Sequence, residues 1–207
     1  MLHQISNVTE YNRYPVIFRE CAKYFFGKKP SILSFGCSDG REVKTLRDLY
    51  FYDSVIDGVD ISKQVIEECK NLHLDEKISF YNSEEFRGSR YDLIFCMSVL
   101  CRWPQTEHLS DCSQEYTFEQ FETQVLALDK LLNENGLLVI YNANFLFTDT
   151  VLKNKYRVME SDVLVESGFV KKFDKKNKAI EKAYRYSIFI KLSYWERLFQ
   201  YCKRFFR

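Results

Sequence analysis

The sequence predicts an α/β protein with a doubly wound, mostly parallel, seven-stranded sheet and an antiparallel edge hairpin towards its C-terminal end. Short runs rich in β-branched and aromatic residues alternate with amphipathic helical segments over most of the chain. This alternation is typical of right-handed crossovers between parallel strands, with helices on both faces of the sheet. The last two strand-like runs are joined by a short lysine-rich turn, which favours antiparallel pairing.

The first half of the chain accounts for a leading helix and four strands. Pro15 suits the first turn of that helix. After the first strand, Val43, Leu46 and Leu49 share one helical face. Ser62 can cap the helix that follows the second strand. The predicted strands comprise residues 32–35, 54–59, 78–81 and 91–96.

The second half supplies the remaining strands. Thr117 and Gln120 have the spacing of a capping box, which predicts a helix that ends before Gly136. The elements predicted after it are a strand at 137–141, a helix at 161–168 and the hairpin strands at 169–173 and 184–191.

The size and charge of the chain favour one compact unit with a small substrate. A length of 207 residues suits a single domain, which we place at residues 30–191, between a helical lead-in (1–29) and a basic, aromatic amphipathic helix (192–207). The 30 Lys and Arg residues nearly balance the 29 Asp and Glu residues. The chain therefore lacks the strong basic field that drives general nucleic-acid binding.

The cysteines indicate a reduced environment. All seven lie outside any CxxC pair and mostly within apolar stretches, as core thiols do. No leader-like segment begins the chain, and no run approaches the ~18 apolar residues of a membrane span. We expect a cytoplasmic protein with no metal site.

A glycine-bearing turn follows the first strand. Gly36 and Gly40 let the backbone turn sharply and approach a ligand closely, although a tight structural turn needs glycine just as often. Asp60 closes the second strand, where a carboxylate can accept the hydroxyl hydrogens of a ribose, or can cap a helix instead. The dinucleotide fingerprint requires glycine where Ser38 and Arg41 stand, so a nucleotide-cofactor oxidoreductase becomes a lesser alternative.

Four segments resemble, in order, the motifs of class I (Rossmann-like) S-adenosylmethionine-dependent methyltransferases. The first is the strand and turn from Ile32 to Gly40, and the others are residues 58–61, 91–100 and 131–140. The resemblance covers residues 30–145. Residues 37–42 and 95–100 are most similar to chemotaxis-receptor methyltransferases, whose extra helical domain and inserted small sheet have no counterpart here.

The resemblance implies S-adenosylmethionine as cofactor and a defined set of site residues. Asp60 would hold the ribose, Glu42 would reach the amino group at the methionine end, and Ser83 or Glu84 would lie near the adenine. The alternatives are a solvated Glu42 and a Cys96 that only packs within its strand. The full set is Gly36, Cys37, Ser38, Gly40, Glu42, Asp60, Ile61, Ser83, Glu84, Cys96, Met97 and Ser98.

The turn departs from the family pattern at two positions. Many members carry an acid where Ser34 stands and a glycine where Ser38 stands. Both departures concern the methionine end of the cofactor.

Acceptor residues are expected after the fourth and fifth strands. Arg102 and Trp103 follow the fourth strand and residues 142–145 follow the fifth, although a surface arginine and a half-buried tryptophan would also explain the first two. His108 is the nearest histidine to this edge, and an exposed loop histidine is the alternative. Residues 13–15 are a candidate lid.

Two basic segments remain. The apolar stripe of residues 194–207, flanked by Arg and Lys, fits peripheral contact with the inner membrane face or with a partner, or packing on its own domain or a dimer mate. The lysines at 171, 172, 175, 176 and 178 are interpreted as a solvated turn, and a phosphate-bearing partner is the alternative.

The leading hypothesis is a methyltransferase that acts on an O or N atom of a small-molecule or glycan-type acceptor. Methyl transfer from a sulfonium needs alignment and exclusion of water rather than a dedicated nucleophile, so no catalytic residue is assigned. The alternative is a cofactor-binding but catalytically silent scaffold.

Overall fold

The computed structural model describes residues 9–72, 75–161, 167–181 and 186–205. Its helices are α1 (Pro15–Tyr24), α2 (Arg41–Thr45), α3 (Lys63–Lys70), α4 (Phe118–Leu131) and α5 (Tyr194–Phe205). Its strands are β1 (Ile32–Phe35), β2 (Ile56–Asp60), β3 (Ile78–Asn82), β4 (Tyr91–Met97), β5 (Leu132–Tyr141), β6 (Tyr156–Val158), β7 (Lys172–Phe173), β8 (Ala179–Ile180) and β9 (Ile188–Lys191).

Seven strands form one sheet in the order β3-β2-β1-β4-β5-β9-β6. The first five are parallel, and β9 runs antiparallel to both of its neighbours. The predicted doubly wound, mostly parallel sheet is confirmed. The winding reverses between β1 and β4, which is where such sheets bind ligands, outside the carboxyl ends of the strands.

An antiparallel strand pair is present on the C-terminal side, but its partners differ from the predicted ones. Strand β7 pairs with β8 in a separate two-stranded sheet, whereas β9 lies inside the main sheet between β5 and β6. All four residues of β9 are buried, because its apolar side chains pack in the apolar clusters on the two faces of the sheet and its backbone pairs with β5 and β6. Residues 162–166 of the predicted helix and residues 184–185 of the last predicted strand lie outside the described residues.

Helices cover both faces of the sheet. Apolar residues of α1, α2 and α3 pack on one face, and those of α4 pack on the other. The capping box of α4 is confirmed, because Thr117 Oγ1 accepts a hydrogen bond from Gln120 N at 3.2 Å and Gln120 Oε1 accepts one from Thr117 N at 3.0 Å. Leu49 was predicted on a buried face and is exposed, since residues 46–50 form a π-helical turn that rotates it outward.

Six of the seven cysteines are buried, and Cys202 is exposed. Core packing therefore accounts for most of the thiols. Within the part of the chain that the structure describes, no helix combines the length and apolar composition needed to cross a bilayer.

Candidate functional site

The turn between β1 and α2 lies at the carboxyl edge of the sheet, beside the point where the winding reverses. Gly36, Ser38 and Gly40 have left-handed φ angles of 78°, 49° and 81°. A Cβ on Gly36 would overlap the side chain of Val99 in the loop after β4. Glycine is therefore required at this position by close packing as well as by the turn.

Asp60 ties this turn to the end of β2. Its Oδ2 accepts a hydrogen bond from Ser38 N at 3.0 Å, and its Oδ1 accepts one from Ser62 N at 3.0 Å. The carboxylate thus holds the turn on one side and the start of α3 on the other. A carboxylate has about four lone-pair sites, so acceptor capacity remains for a ligand.

Glu42 and Ser34 lie beneath the same turn. Ser34 Oγ donates a 2.8 Å hydrogen bond to Glu42 Oε1. Burial raises the pKa of Glu42 to about 7, while the Ser34 hydrogen bond and the positive charge of Arg13 oppose this rise. The arrangement joins a carboxyl group from the helix to the strand position where many class I enzymes carry an acid.

Ser98, which follows β4, belongs to a small polar network. Its Oγ lies 2.9 Å from the Tyr14 hydroxyl and accepts a 3.0 Å hydrogen bond from Nδ2 of Asn142. Tyr14 precedes α1 and Asn142 follows β5. The predicted lid segment therefore lies across the carboxyl ends of β4 and β5.

Asn82 organises the loops after β2 and β3. It is buried, its Nδ2 donates to Ile61 O at 2.9 Å, and its Oδ1 accepts from Glu84 N at 3.1 Å. Ile61 and Ser83 are exposed at this edge, and the Glu84 carboxylate forms a 2.8 Å ion pair with Lys63. The positioning role of Asn82 could not be predicted from the sequence, because it depends on a contact with a residue 21 positions away.

Cys37, Cys96 and Met97 have buried side chains. Cys96 packs in the apolar cluster on the α4 face, and Cys37 and Met97 pack in the cluster on the opposite face. Burial raises the pKa of the Cys96 thiol, so this thiol stays neutral. The side chains of all three residues are thus closed to solvent.

Two asparagines after β5 hold the loops of the predicted acceptor side. Asn142 Oδ1 accepts hydrogen bonds from the backbone N–H groups of Phe169 and Val170 at 2.9 and 3.0 Å. Asn144 Oδ1 accepts one from Arg102 N at 2.7 Å, and its Nδ2 donates to Lys171 O at 2.8 Å. The loop after β4 and the segment leading to β7 are thereby fixed to the end of β5.

An aromatic pair lies on these fixed loops. The ring of Trp103 meets that of Phe169 edge to face, with centroids 5.7 Å apart. Phe169 is 65% exposed, and the sequence analysis did not select it. Among the described residues, Arg102 Nε is buried without a hydrogen-bond partner. His108 is exposed, as its alternative interpretation expected, and His3 and His73 lie outside the described residues.

Lys172 corrects the interpretation of the lysine-rich turn. Lys175 and Lys176 are exposed, but Lys172 is buried and its Nζ donates to Ala143 O at 2.6 Å and Ser167 O at 3.1 Å. Burial lowers the pKa of Lys172 to about 8. Its amino group holds β7 against the end of β5, so this lysine is structural rather than solvated.

The chain matches a known family of methyltransferase domains in sequence. Residues 9–158 match the model of a methyltransferase domain family. No protein with a curated function is significantly similar in sequence. The match spans the turn, Asp60 and the ends of β4 and β5.

Similar solved structures include three methyltransferases. The plantazolicin methyltransferase BpumL, in complex with SAH, has 19% identity and a TM-score of 0.44 over 61% of this chain and 45% of its own. A putative caffeoyl-CoA O-methyltransferase from Staphylococcus aureus has 13% identity and a TM-score of 0.43 over 64% and 57%. CalS10, an amino pentose methyltransferase from Micromonospora echinaspora, has 13% identity and a TM-score of 0.45 over 64% and 50%. The matched region spans about half the length of these proteins.

Proposed function

The chain belongs to the methyltransferase domain family, and we propose that it binds S-adenosylmethionine at the turn after β1 and transfers the methyl group to a small acceptor. The observation that carries this proposal is the position of Asp60 at the end of β2, hydrogen-bonded to the backbone of Ser38 in the turn. Its carboxylate retains lone pairs for the two hydroxyl groups of a ribose.

The remaining predicted residues fit the same ligand. The exposed side chain of Ile61 offers an apolar surface for the adenine next to Asp60, and Ser83 lies at the same edge. The Glu42 carboxylate suits the amino group of the methionine end, since it lies beside β1 through its hydrogen bond with Ser34. Gly36 and Ser98 would frame the ligand through their backbones.

The protein's contribution to the reaction is alignment and exclusion of water. S-adenosylmethionine supplies an activated methyl group on a sulfonium, and an in-line displacement needs the acceptor atom behind that methyl group. The Tyr14 hydroxyl and Ser98 Oγ lie 2.9 Å apart, beside the loops after β4 and β5. The acceptor would therefore enter between these loops, against Trp103 and Phe169.

The aromatic pair favours an acceptor with a flat, partly apolar face. Aromatic rings present such faces to aromatic groups and to the apolar side of sugar rings. The unpaired Nε of Arg102 would gain from a carbonyl or anionic group nearby, because a buried donor without a partner is costly. We propose transfer to an O or N atom of a small-molecule or glycan-type acceptor of this kind.

Calorimetric titration with S-adenosylmethionine and with its demethylated product tests the proposal directly. We expect one site per chain for both ligands. No heat at about millimolar ligand, equivalent to binding weaker than ~4 kcal/mol, would overturn the proposed cofactor site. Binding without any turnover of labelled cofactor across an acceptor panel would instead favour the silent scaffold.

The pair of Trp103 and Phe169, which we call the acceptor wall, can be tested separately. Trp103→Ala and Phe169→Ala should each raise the acceptor KM about tenfold, through the loss of ~1.5 kcal/mol of aromatic contact, and leave cofactor affinity unchanged. The measurement is transfer of labelled methyl groups to the best acceptor of the panel. Tyr52→Ala serves as the control, because it removes an exposed aromatic side chain before the amino end of β2, away from the carboxyl edge of the sheet. Wild-type KM in both variants would exclude this wall.

A further inference from the structure

The helix α5 has an exposed apolar face. Its aromatic and apolar residues recur every three or four positions and so share one side of the helix. All of those with described side chains are exposed, including Trp195 at 74% and Phe199 at 61%. The opposite side carries Glu196, Arg197 and Lys203. Packing of this stripe on its own domain, one of the alternatives from the sequence, is therefore wrong.

The helix is attached to the body by its polar side. Arg197 forms a 2.8 Å ion pair with Glu134 near the start of β5. At the first turn, Glu196 Oε2 accepts hydrogen bonds from the backbone N and the Oγ of Ser193, both at 2.8 Å. The ion pair holds the polar side of the helix towards the domain, and the aromatic residues on the other side are exposed.

The end of α1 adds to the same surface. The Tyr24 hydroxyl donates a 2.9 Å hydrogen bond to Asn135 O, next to the residue that pairs with Arg197. Two residues further, the side chain of Phe26 is 90% exposed, and Lys28 follows it. This surface lies at the amino end of β5, whereas the cofactor turn lies at the carboxyl edge of the sheet.

The charge of this surface indicates its partner. Residues 194–207 contain four Lys and Arg residues and one Glu, a net charge of +3, whereas the whole chain has a net charge of only +1. The excess positive charge is thus concentrated in the same segment of the sequence as the exposed aromatic residues. Lys203 Nζ lies 4.5 Å from the centroid of the Phe199 ring, at the border of that face.

We propose that α5 lies in the plane of an anionic lipid bilayer, with its aromatic face in the headgroup region. A helix with Trp and Phe on one face and Lys and Arg on the other is suited to this interface, and Trp and Tyr favour the boundary between headgroups and acyl chains. Lysine and arginine side chains near the surface are attracted to anionic lipid headgroups. In this orientation the carboxyl edge of the sheet faces away from the membrane and stays open to soluble ligands.

Flotation of the whole protein with lipid vesicles tests this proposal. We expect flotation with phosphatidylcholine vesicles that contain about 30% phosphatidylserine, little flotation with pure phosphatidylcholine, and release at about 0.5 M NaCl. Trp195→Ala/Phe199→Ala and Lys203→Glu/Arg204→Glu should each reduce the bound fraction about tenfold or more. Thermal unfolding of both variants would verify that the substitutions leave the fold intact.

A matched control separates a local effect from net charge. Lys175→Glu/Lys176→Glu changes the net charge equally but acts on the exposed turn before β8, so this variant should float like the wild type. Equal loss in the control, or unchanged flotation of the aromatic variant, would overturn the proposal. So would a dimer in sedimentation that the aromatic substitutions dissociate without any effect of lipid, since a second copy of the chain would then cover the face.

Discussion

Replacement of Asp60 by alanine is expected to weaken S-adenosylmethionine binding at least about a hundredfold. The carboxylate would accept two ribose hydroxyl groups, and hydrogen bonds to a charged group contribute about 1.5–3 kcal/mol each. Loss of both amounts to at least ~3 kcal/mol, and about 1.4 kcal/mol corresponds to a factor of ten. Calorimetric titration of the variant measures this change.

The variant also removes the acceptor of the Ser38 and Ser62 N–H groups, so a loosened turn must be distinguished from a lost ligand contact. Asp39→Ala is the matched control, because Asp39 is an acid in the same turn that contacts Arg41, two residues away: its Oδ1 accepts a 3.1 Å hydrogen bond from Arg41 N and its Oδ2 lies 3.3 Å from Arg41 Nε. We expect its affinity to stay within about threefold of the wild type. Equal losses in both variants, or no loss for Asp60→Ala, would remove Asp60 from the ribose role.

Most of the fold could be predicted from the sequence, because it follows from the alternation of strand-like and helical segments along the chain. Strands and amphipathic helices alternate at the spacing of crossovers, and the carboxyl ends of parallel strands necessarily meet at one edge. Gly36 and Asp60 stand at the carboxyl ends of the first two strands, so the topology predicts that they lie close together. The class I resemblance is confirmed by the family match, whereas the closer similarity to chemotaxis-receptor enzymes stays a prediction.

What the sequence did not reveal depends on distant contacts. Lys172 looks like its neighbours in a lysine-rich run, and only its contact with Ala143 O, 29 residues away, makes it a buried anchor. The position of β9 inside the sheet depends on its pairing with β6. This strand has only three residues, too few to be predicted from an alternating pattern. The stripe of α5 has the same periodicity whether it is buried or exposed, so its exposure required the structure.

The surroundings of Glu42 favour a role as a cofactor ligand. The sequence left it as either a cofactor ligand or a solvated residue at the start of a helix. The structure buries it in part and joins it to Ser34 at 2.8 Å, beside the turn that Asp60 holds from the other side. A carboxyl group with a pKa raised by burial, close to Arg13 and otherwise without a cation in its hydrogen bonds, is suited to receive an ammonium group.

Glu42→Gln is therefore expected to weaken S-adenosylmethionine binding about thirtyfold at pH 7.5, as loss of a charge-assisted hydrogen bond of ~2 kcal/mol predicts. In the wild type, affinity should rise with pH through about 7, where Glu42 ionises, and fall again above about 8, where an α-amino group loses its proton. The variant should lose the rise near pH 7. Glu67→Gln, which changes an exposed acid on α3, should keep the full profile.

Stability of the ligand-free protein provides an independent check of the same group. The pKa of Glu42 is raised in the folded protein from 4.5 to about 7, so the folded state binds its proton more tightly than the unfolded state. Its stabilising contribution is complete below pH 4.5 and is lost as the pH rises to about 7. Glu42→Gln cannot ionise, so its melting temperature relative to the wild type should increase between pH 5 and pH 8. A constant difference would show that Glu42 ionises at its ordinary pKa, and the pH dependence of cofactor binding would then need another group.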